Sequence, residues 1–193
     1  MDKTFNEQYH FKQLAVHGRF QPPLHVNHWN YIRYAFDSAA KVSLYITNPY
    51  LNESSRSEAS WRNTAESNPF TFEERAMLFG KCFQKLGIVE DRYEILPLNV
   101  TDDAEIARLP TDVPMIVNVY SEWSQAKAKK FKAAGKPVIL LAQPRLHEYS
   151  GTKLREQIAT YQNEPEVLQT ALLQGGLLPE AVCGLLELVQ SKQ

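Results

Sequence analysis

The stretch LAVHGRFQPPLHVNHW, residues 14–29, joins a short apolar run to the start of an amphipathic helix. Residues 14–16, followed by Gly18, are typical of a buried parallel strand that stops at a chain breaker. Beyond His28, apolar residues recur on one helical face, at Trp29, Ile32, Phe36 and Ala39. The stretch therefore predicts a strand, a tight turn and a helix.

The alternation of strand and helix patterns continues along the chain. Apolar runs predict further strands at residues 42–46, 93–98, 114–120 and 137–142. Helical spacing predicts helices at residues 72–86, 123–134, 152–160, 164–174 and 179–190. Such alternation implies a five-stranded, mostly parallel sheet covered on both faces. We expect one α/β domain over residues 1–193, with a core at about 12–160 and a C-terminal helical extension at 161–193.

Composition limits the class of protein. The chain has 193 residues, a net charge of −1 and 44% apolar residues, as ordinary soluble domains do. This charge gives no general attraction for nucleic acid. The first residues lack a signal-peptide core, and the longest apolar run, residues 138–142, is too short to cross a bilayer. We expect a cytoplasmic protein with no nucleic acid or membrane partner, and with Cys82 and Cys183 as buried, reduced thiols.

The first predicted turn carries residues suited to an anion. Gly18 lets the chain turn where a side chain would block a ligand, and Arg19 adds a fixed positive charge. His25 and His28 lie at the start of the predicted helix, where free N–H groups and the helix dipole favour an anion. Two other interpretations stay open: histidines that are ordinary surface or core residues, and a zinc pair, although no further ligand follows at zinc spacing.

A second cluster follows the fifth predicted strand. Residues 150–155, SGTKLR, open a helix with the hydroxyls of Ser150 and Thr152, and with positive charge on Lys153 and Arg155. Hydroxyls, a glycine and a helix N-terminus are suited to cradling phosphate. The alternative is an ordinary capped helix with basic surface residues. Because both clusters follow strands of a parallel sheet, we expect them at the same edge of the sheet.

Three motifs, in chain order, resemble those of one enzyme superfamily. Residues 17–28 resemble the G-R-F-Q-P-x-H-x-G-H signature of the nucleotidylyltransferases, and residues 150–155 look like their second signature, S-[SG]-T-x-[IL]-R. Residues 68–75, NPFTFEER, are similar to the N-P-F-T-x-x-E-R element of the archaeal-type nicotinamide mononucleotide adenylyltransferases. The resemblance covers roughly residues 12–160 and implies a Rossmann-like domain.

The resemblance also implies a reaction and residue roles. The family transfers a nucleotidyl group from a nucleoside triphosphate, usually ATP, and releases pyrophosphate, with Mg²⁺ held mainly by the substrate phosphates. By motif match, His25, His28 and Arg19 would be catalytic. The nucleotide would be bound by these three residues together with Gly18, Phe20, Ser150, Thr152 and Arg155. The first expectation is AMP transfer from ATP to nicotinamide mononucleotide, which makes NAD.

Two departures from the signature leave alternatives open. The spacing from Gly18 to His28 is one residue longer than the family pattern, which places an insertion at Pro23–Leu24, and Asn27 stands where the family has glycine. The side chain of Asn27 must point away or make a contact of its own. An adenylyl- or cytidylyltransferase that acts on another phosphate or phosphonate is therefore the second expectation. A non-catalytic module that senses a nucleotide is the third.

The acceptor would be a phosphorylated small molecule. Trp61, Arg75 and Trp123 are the candidates for binding it, since an aromatic ring or a cation suits a nucleotide-like acceptor. Trp61 lies in a long polar stretch, residues 51–68, whose role as a lid over the substrate is an open question. The alternative for Trp61 is a ring folded onto the protein surface. A homo-oligomer is also possible, since the leucines of the C-terminal helices suit either the core or a second subunit.

Overall fold

The computed structural model describes residues 9–49, 64–144, 146–148 and 151–193. These residues form two compact units. The first unit contains 9–19, 30–48 and 89–144, and the second contains 20–29, 49, 64–88, 146–148 and 151–193. The strands are β1 (Phe11–Gly18), β2 (Ala39–Thr47), β3 (Tyr93–Leu98), β4 (Met115–Asn118) and β5 (Val138–Leu141). The helices are α1 (Val26–Ser38), α2 (Phe72–Lys85), α3 (Asp103–Arg108), α4 (Glu122–Ala133), α5 (Gly151–Tyr161), α6 (Pro165–Gln174) and α7 (Pro179–Ser191).

The first unit holds a five-stranded sheet in the order β3-β2-β1-β4-β5. Its neighbouring strands pair in parallel, with Val16 of β1 opposite Leu44 of β2 and opposite Ile116 of β4. The predicted α/β class and the parallel sheet are therefore confirmed. Because the strand order reverses between β1 and β4, the carboxyl ends of these two strands flank the switch point where ligands of such sheets bind. Gly18 and Asn118 end these strands.

One face of this sheet carries an apolar core. Alternate residues of a strand point to the same face, so Ala15 of β1 and Val117 of β4 both face the helices α3 and α4. Ile106 of α3 and Phe131 of α4 are each 1% exposed in this cluster. His17 follows Ala15 on the same face, and its ring lies edge-on to Phe131 at 5.1 Å. The core thus encloses one imidazole beside the end of β1.

The second unit is helical in its described part. Helix α2 begins at a capping box in which Thr71 Oγ1 accepts from Glu74 N–H and Glu74 accepts from Thr71 N–H, as the T-x-x-E pattern predicts. Helix α7 packs on α2 closely enough that a Cβ on Gly184 would lie 3.3 Å from Leu78 Cδ2. Helix α7 therefore packs against α2 of the same chain, while Leu173 of α6 is exposed.

Two details differ from the predictions. Helix α1 ends at Ser38, so Ala39 begins β2 and does not continue the helical stripe. Cys82 is buried, and burial raises the pKa of its thiol to about 12, but Cys183 is exposed on α7, so its predicted burial is wrong. Among the described residues, no helix combines the length and apolar character that crossing a bilayer requires.

Candidate functional site

The turn that leads into α1 has an unusual backbone. Phe20 and Leu24 have φ angles of 52° and 60°, in the left-handed region that L-residues seldom adopt. Each such residue costs roughly 1–2 kcal/mol, which the complete burial of both side chains helps to offset. The Phe20 ring lies edge-on to His28 at 5.1 Å and to Phe79 at 5.0 Å. Phe20, predicted to contact the nucleotide, is therefore a core residue that supports the His28 ring.

Gln21 connects the three motifs found in the sequence. Its Nε2 donates to the Phe70 carbonyl at 2.8 Å, and its Oε1 accepts from the Phe70 N–H at 3.3 Å. Its own backbone carbonyl accepts from Arg155 Nη1 at 2.8 Å. Gln21 is 3% exposed, so these hydrogen bonds are shielded from water. The first signature therefore contacts both the N-P-F-T element and the second signature within one unit.

The first N–H groups of α1 are already occupied. Val26 N–H donates to the Gly176 carbonyl at 2.8 Å, Asn27 N–H to His25 Nδ1 at 3.1 Å, and His28 N–H to the His25 carbonyl at 2.8 Å. A helix start binds an anion through N–H groups that lack such acceptors. The expectation that the N–H groups of this helix start are free for an anion is therefore wrong. The His25 side chain caps the helix instead.

His25 is held at both ring nitrogens. Its Nδ1 accepts from Asn27 N–H, so the proton is assigned to Nε2, which lies 3.1 Å from the Gly175 carbonyl and donates to it. The ring is 3% exposed. Burial lowers the pKa of His25 and the nearby His147 lowers it further, while the hydrogen bond to Gly175 acts in the opposite direction. His25 is accordingly a neutral imidazole with a fixed tautomer.

Two further imidazoles lie next to His25. The His28 ring is centred 6.0 Å from the His25 ring, and the His147 ring is 5.7 Å from it on the opposing segment. His28 is half-buried, unlike His25, and lies in the first turn of α1. The pair His25–His28 predicted from the sequence is therefore together in the structure, with the two rings in different environments.

Asn27 makes a contact of its own, as its position requires. Its Oδ1 accepts from the N–H groups of Leu146 at 2.7 Å and His147 at 3.1 Å, and its Nδ2 donates to the His147 carbonyl at 2.8 Å. These hydrogen bonds fasten residues 146–148 to the first turn of α1. The Asn27 side chain thus connects two segments of the second unit by hydrogen bonds.

The start of α5 lies directly against the first signature. A Cβ on Gly151 would be 2.5 Å from the Gln21 carbonyl oxygen, so only glycine fits there without a backbone shift. Arg155 Nη2 donates to Thr152 Oγ1 at 3.1 Å while Nη1 holds the Gln21 carbonyl. Arg155 is 8% exposed, and burial lowers the pKa of its guanidinium. Ser150, predicted to bind the nucleotide, lies outside the described residues.

Arg75 is the most deeply buried cation of the second unit's described part. It is 1% exposed, and its Nε donates to the Thr71 carbonyl at 3.1 Å. Burial lowers the pKa of its guanidinium to about 10, while Glu73 and Glu74 act in the opposite direction. Its predicted role in binding the acceptor stays a prediction.

The other predicted residues are placed as follows. Gly18 and Arg19 belong to the first unit, where Gly18 ends β1, and Trp123 lies in the first turn of α4 in the same unit. Trp61 lies outside the described residues, as does most of the polar stretch at 51–68. The roles predicted for these residues stay predictions. The second unit contains His25, His28, Thr152, Arg155 and Arg75.

Sequence reasoning missed Gln21 and the pair Gly175–Gly176. Gln21 stands inside the recognised signature, but its amide pairs with a residue 49 positions away, which no local pattern indicates. The adjacent glycines between two helical patterns indicate a turn. That pattern does not indicate that the Gly175 carbonyl accepts a hydrogen bond from His25.

Comparison with known proteins gives the family. No family model matches the chain. A phosphonoformate cytidylyltransferase from Streptomyces viridochromogenes is 31% identical over 150 residues, which are 75% of this chain and 79% of that protein.

Solved structures share the fold at lower identity. A bifunctional NMN adenylyltransferase/ADP ribose pyrophosphatase from Francisella tularensis matches with a TM-score of 0.55 at 20% identity, over 80% of this chain and 42% of that one. A NadR protein in complex with NR matches with a TM-score of 0.50 at 20% identity, over 86% of this chain and 47% of that one. This chain thus spans less than half the length of either solved protein.

The relationship to the archaeal-type subgroup stays a prediction, whereas the wider relationship inferred from the motifs is confirmed. A relative that is 31% identical over most of its own length, together with the shared fold, establishes common descent. The chain belongs to the nucleotidylyltransferase family that includes phosphonoformate cytidylyltransferase.

Proposed function

We propose that this protein transfers a nucleotidyl group from a nucleoside triphosphate to a phosphate or phosphonate oxygen of a small acceptor, with CTP as the donor. The observation that carries the proposal is the meeting of three motifs at Gln21, whose amide binds Phe70 and whose carbonyl binds Arg155. The choice of CTP is supported by the cytidylyltransferase relative at 31% identity, against 20% for the NMN adenylyltransferase structure.

The proposed reaction is an in-line displacement at phosphorus. An acceptor oxygen forms a bond to the α-phosphorus of the triphosphate, the bond from that phosphorus to the oxygen bridging to the β-phosphorus breaks, and pyrophosphate leaves. The protein's contribution is positioning and charge stabilisation. His28 would donate a hydrogen bond to an α-phosphoryl oxygen. The buried Phe20 ring lies edge-on to the half-buried His28 ring and supports it from the core side.

Arg155 and Thr152 would bind the departing phosphates. Among the described residues, two of the five N–H donors of Arg155 are used, by the Gln21 carbonyl and by Thr152. The remaining donors of this fixed guanidinium suit a phosphoryl oxygen. Arg19 is proposed as a further phosphate ligand from its motif position alone.

Mg²⁺ is proposed to arrive with the triphosphate. The described residues contain no group of three or more His, Cys, Asp or Glu side chains placed to hold a metal ion. These residues are compatible with an ion whose ligands are mostly phosphate oxygens and water, as is common for Mg²⁺. The ion would neutralise charge on the pyrophosphate as it leaves.

AMP transfer from ATP to nicotinamide mononucleotide is the second candidate. It is supported by the NPFTFEER sequence at residues 68–75, whose Phe70 pairs with Gln21 and whose Arg75 is buried. Under this candidate the protein would bind ATP and make NAD.

One panel of assays separates these functions. The purified protein is incubated with Mg²⁺, each of CTP, ATP, GTP and UTP, and each of a set of phosphate and phosphonate acceptors that includes nicotinamide mononucleotide, and pyrophosphate is measured. We expect pyrophosphate with CTP and a phosphonate or simple phosphate. Pyrophosphate only with ATP and nicotinamide mononucleotide selects the second candidate. Nucleotide binding with no pyrophosphate from any pair selects a sensing module and overturns both.

His28→Ala tests the role of the second histidine in the same assay. Loss of one transition-state donor is expected to lower kcat by roughly 10²–10³-fold with little change in the thermal midpoint. His10→Ala is the matched control, because it removes an exposed imidazole from the first unit, and its kcat should equal that of the wild type. A His28→Ala variant with kcat within a few-fold of the wild type would show that His28 has another role.

A further inference from the structure

We infer that His25 is a positioning residue that fixes the start of α1, and with it His28, and that it does not bind phosphate. The inference rests on the proposed function, which gives His28 the role of binding the α-phosphoryl group. It departs from the role that motif matching assigns to His25. The evidence is the occupation of both His25 nitrogens by the protein itself.

The two hydrogen bonds of His25 join three segments. Nδ1 accepts from Asn27 N–H on α1 at 3.1 Å, and Nε2 donates to the carbonyl of Gly175, which directly follows α6, at 3.1 Å. A phosphate oxygen is an acceptor and needs an N–H from the ring. The Nε2 proton is already donated, and Nδ1 has none to give. Binding phosphate would therefore uncap α1 or break the bond to Gly175.

The turn between α6 and α7 packs tightly around this ring. Val26 N–H donates to the Gly176 carbonyl at 2.8 Å, and Leu178 N–H donates to the Leu24 carbonyl at 3.1 Å, so the turn pairs with the backbone on both sides of His25. Gly176 has a φ of 81°, and a Cβ there would lie 3.1 Å from His25 Nε2 and 2.9 Å from the His147 ring. A ring enclosed in this way has little room to turn toward a ligand.

The two histidines therefore have different roles: His25 positions the helix start, and His28 faces the substrate. His25 sets the register and direction of the first turn of α1, through the cap on Asn27 N–H and the carbonyl that accepts from His28 N–H at 2.8 Å. His28 lies in that same turn and is half-buried. The turn between α6 and α7 thus acts on the candidate site through the carbonyls of Gly175 and Gly176.

A conservative variant separates positioning from phosphate binding. Asparagine is among the best helix N-caps, so His25→Asn restores the cap on α1 but provides no imidazole. We expect His25→Ala to lower kcat/KM for CTP by more than tenfold, and His25→Asn to recover most of that loss, to within roughly threefold of the wild type. His28→Asn is the matched control, and no such recovery over His28→Ala is expected. Equal losses in His25→Asn and His25→Ala, in two folded proteins, would overturn the inference.

Two measurements need no turnover. The ¹⁵N spectrum of labelled histidine should show His25 as a neutral imidazole with its proton on Nε2, and CTP should leave that pattern unchanged. Amide exchange at Asn27 should accelerate in His25→Ala and return toward the wild-type rate in His25→Asn. A proton on Nδ1, or a His25 signal that moves to the charged form when CTP binds, would overturn the inference. A wild type that makes no pyrophosphate would refute the proposed function, while these two measurements would still decide whether His25 holds α1.

Discussion

Asn27 stands where the signature that residues 17–28 resemble has glycine, and its side chain makes contacts that glycine cannot. Its amide accepts from Leu146 and His147 N–H and donates to the His147 carbonyl, at 2.7, 3.1 and 2.8 Å. Glycine at this position has none of these bonds and adds backbone freedom near a helix start. Compared with glycine, Asn27 therefore restricts the backbone and connects α1 to residues 146–148.

Asn27→Gly should loosen that connection. We expect the free energy of unfolding to fall by about 1–2 kcal/mol, the net worth of a few half-exposed hydrogen bonds, and amide exchange at Leu146 and His147 to accelerate. Urea denaturation and hydrogen exchange measure these effects, and the ratio of kcat/KM for CTP and ATP shows whether the position also selects the base. Asn27→Asp is the control, since it keeps both acceptor contacts and loses only the donor. Unchanged exchange at both amides would contradict the role given to Asn27.

The sequence predicted candidate site residues but not the groups that they contact in the fold. His25 is recognisable from its motif, whereas the Gly175 carbonyl that holds it lies 150 positions away. The expectation of free N–H groups at α1 failed for the same reason, because Val26 N–H is satisfied by Gly176 from the far end of the chain. Local patterns report what a residue can bind, and long-range packing decides what it does bind.

At the scale of elements, α5 is placed by a contact that only glycine allows. The Gly151 backbone approaches the Gln21 carbonyl so closely that a Cβ would lie 2.5 Å from that oxygen. The opposing atom belongs to the backbone of a turn whose Phe20 and Leu24 already have positive φ angles. Neither the Gly151 backbone nor the turn that contains Gln21 can move easily, so each fixes the position of the other.

Gly151→Ala should therefore destabilise the protein although alanine is the better helix former. Helix propensity alone predicts a gain of up to about 1 kcal/mol, but we expect the free energy of unfolding to fall and the Kd for CTP to rise, because α5 and Arg155 must move away from Gln21. Gly184→Ala in α7 is the matched control: its Cβ would meet only the flexible ends of Leu78 at 3.3 Å and Lys81 at 3.6 Å. Denaturation and CTP titration of both variants check this. A Gly151→Ala variant as stable as Gly184→Ala would show that the approach to Gln21 is not close.

Element positions were well predicted because their determinants are local. The capping box at Thr71 and Glu74 starts α2 where the pattern places it. The boundary between α1 and β2 was predicted less well. Ala39 fits a helical stripe, but it lies opposite Phe11 in the β1–β2 register, and strand pairing takes precedence over helical spacing there.

At the scale of the whole molecule, the alternation of strands and helices was enough to predict a parallel sheet of five strands. It did not predict that the residues compose two compact units, with the sheet in the first and with α2, α5, α6 and α7 in the second. Each unit is assembled from separate stretches of the chain. Composition along the sequence shows no boundary at those points, since the division depends on which elements pack together.

Two buried imidazoles should make the stability of the folded chain depend on pH. His17 is 6% exposed against Phe131, and burial, with the nearby Lys127 ammonium, lowers its pKa well below the ordinary value of 6.5, while a backbone contact with Ile116 acts in the opposite direction. His25, which faces His147 and His28, also has a lowered pKa because of burial. Both groups are neutral in the folded protein at pH values where the unfolded chain already binds protons.

Stability should therefore be greatest above pH 6.5 and decline as the pH falls from there toward the folded-state pKa values, by at most about 1.4 kcal/mol per pH unit for each group. Urea denaturation at intervals between pH 8 and pH 5 measures the slope. His17→Phe keeps a ring against Phe131 but removes the titrating group, so its slope should be shallower than that of the wild type, and His17→Phe with His25→Asn should be shallower still. A slope that His17→Phe leaves unchanged would mean that His17 takes up its proton as readily in the folded core as in the unfolded chain, which contradicts its burial as a neutral ring.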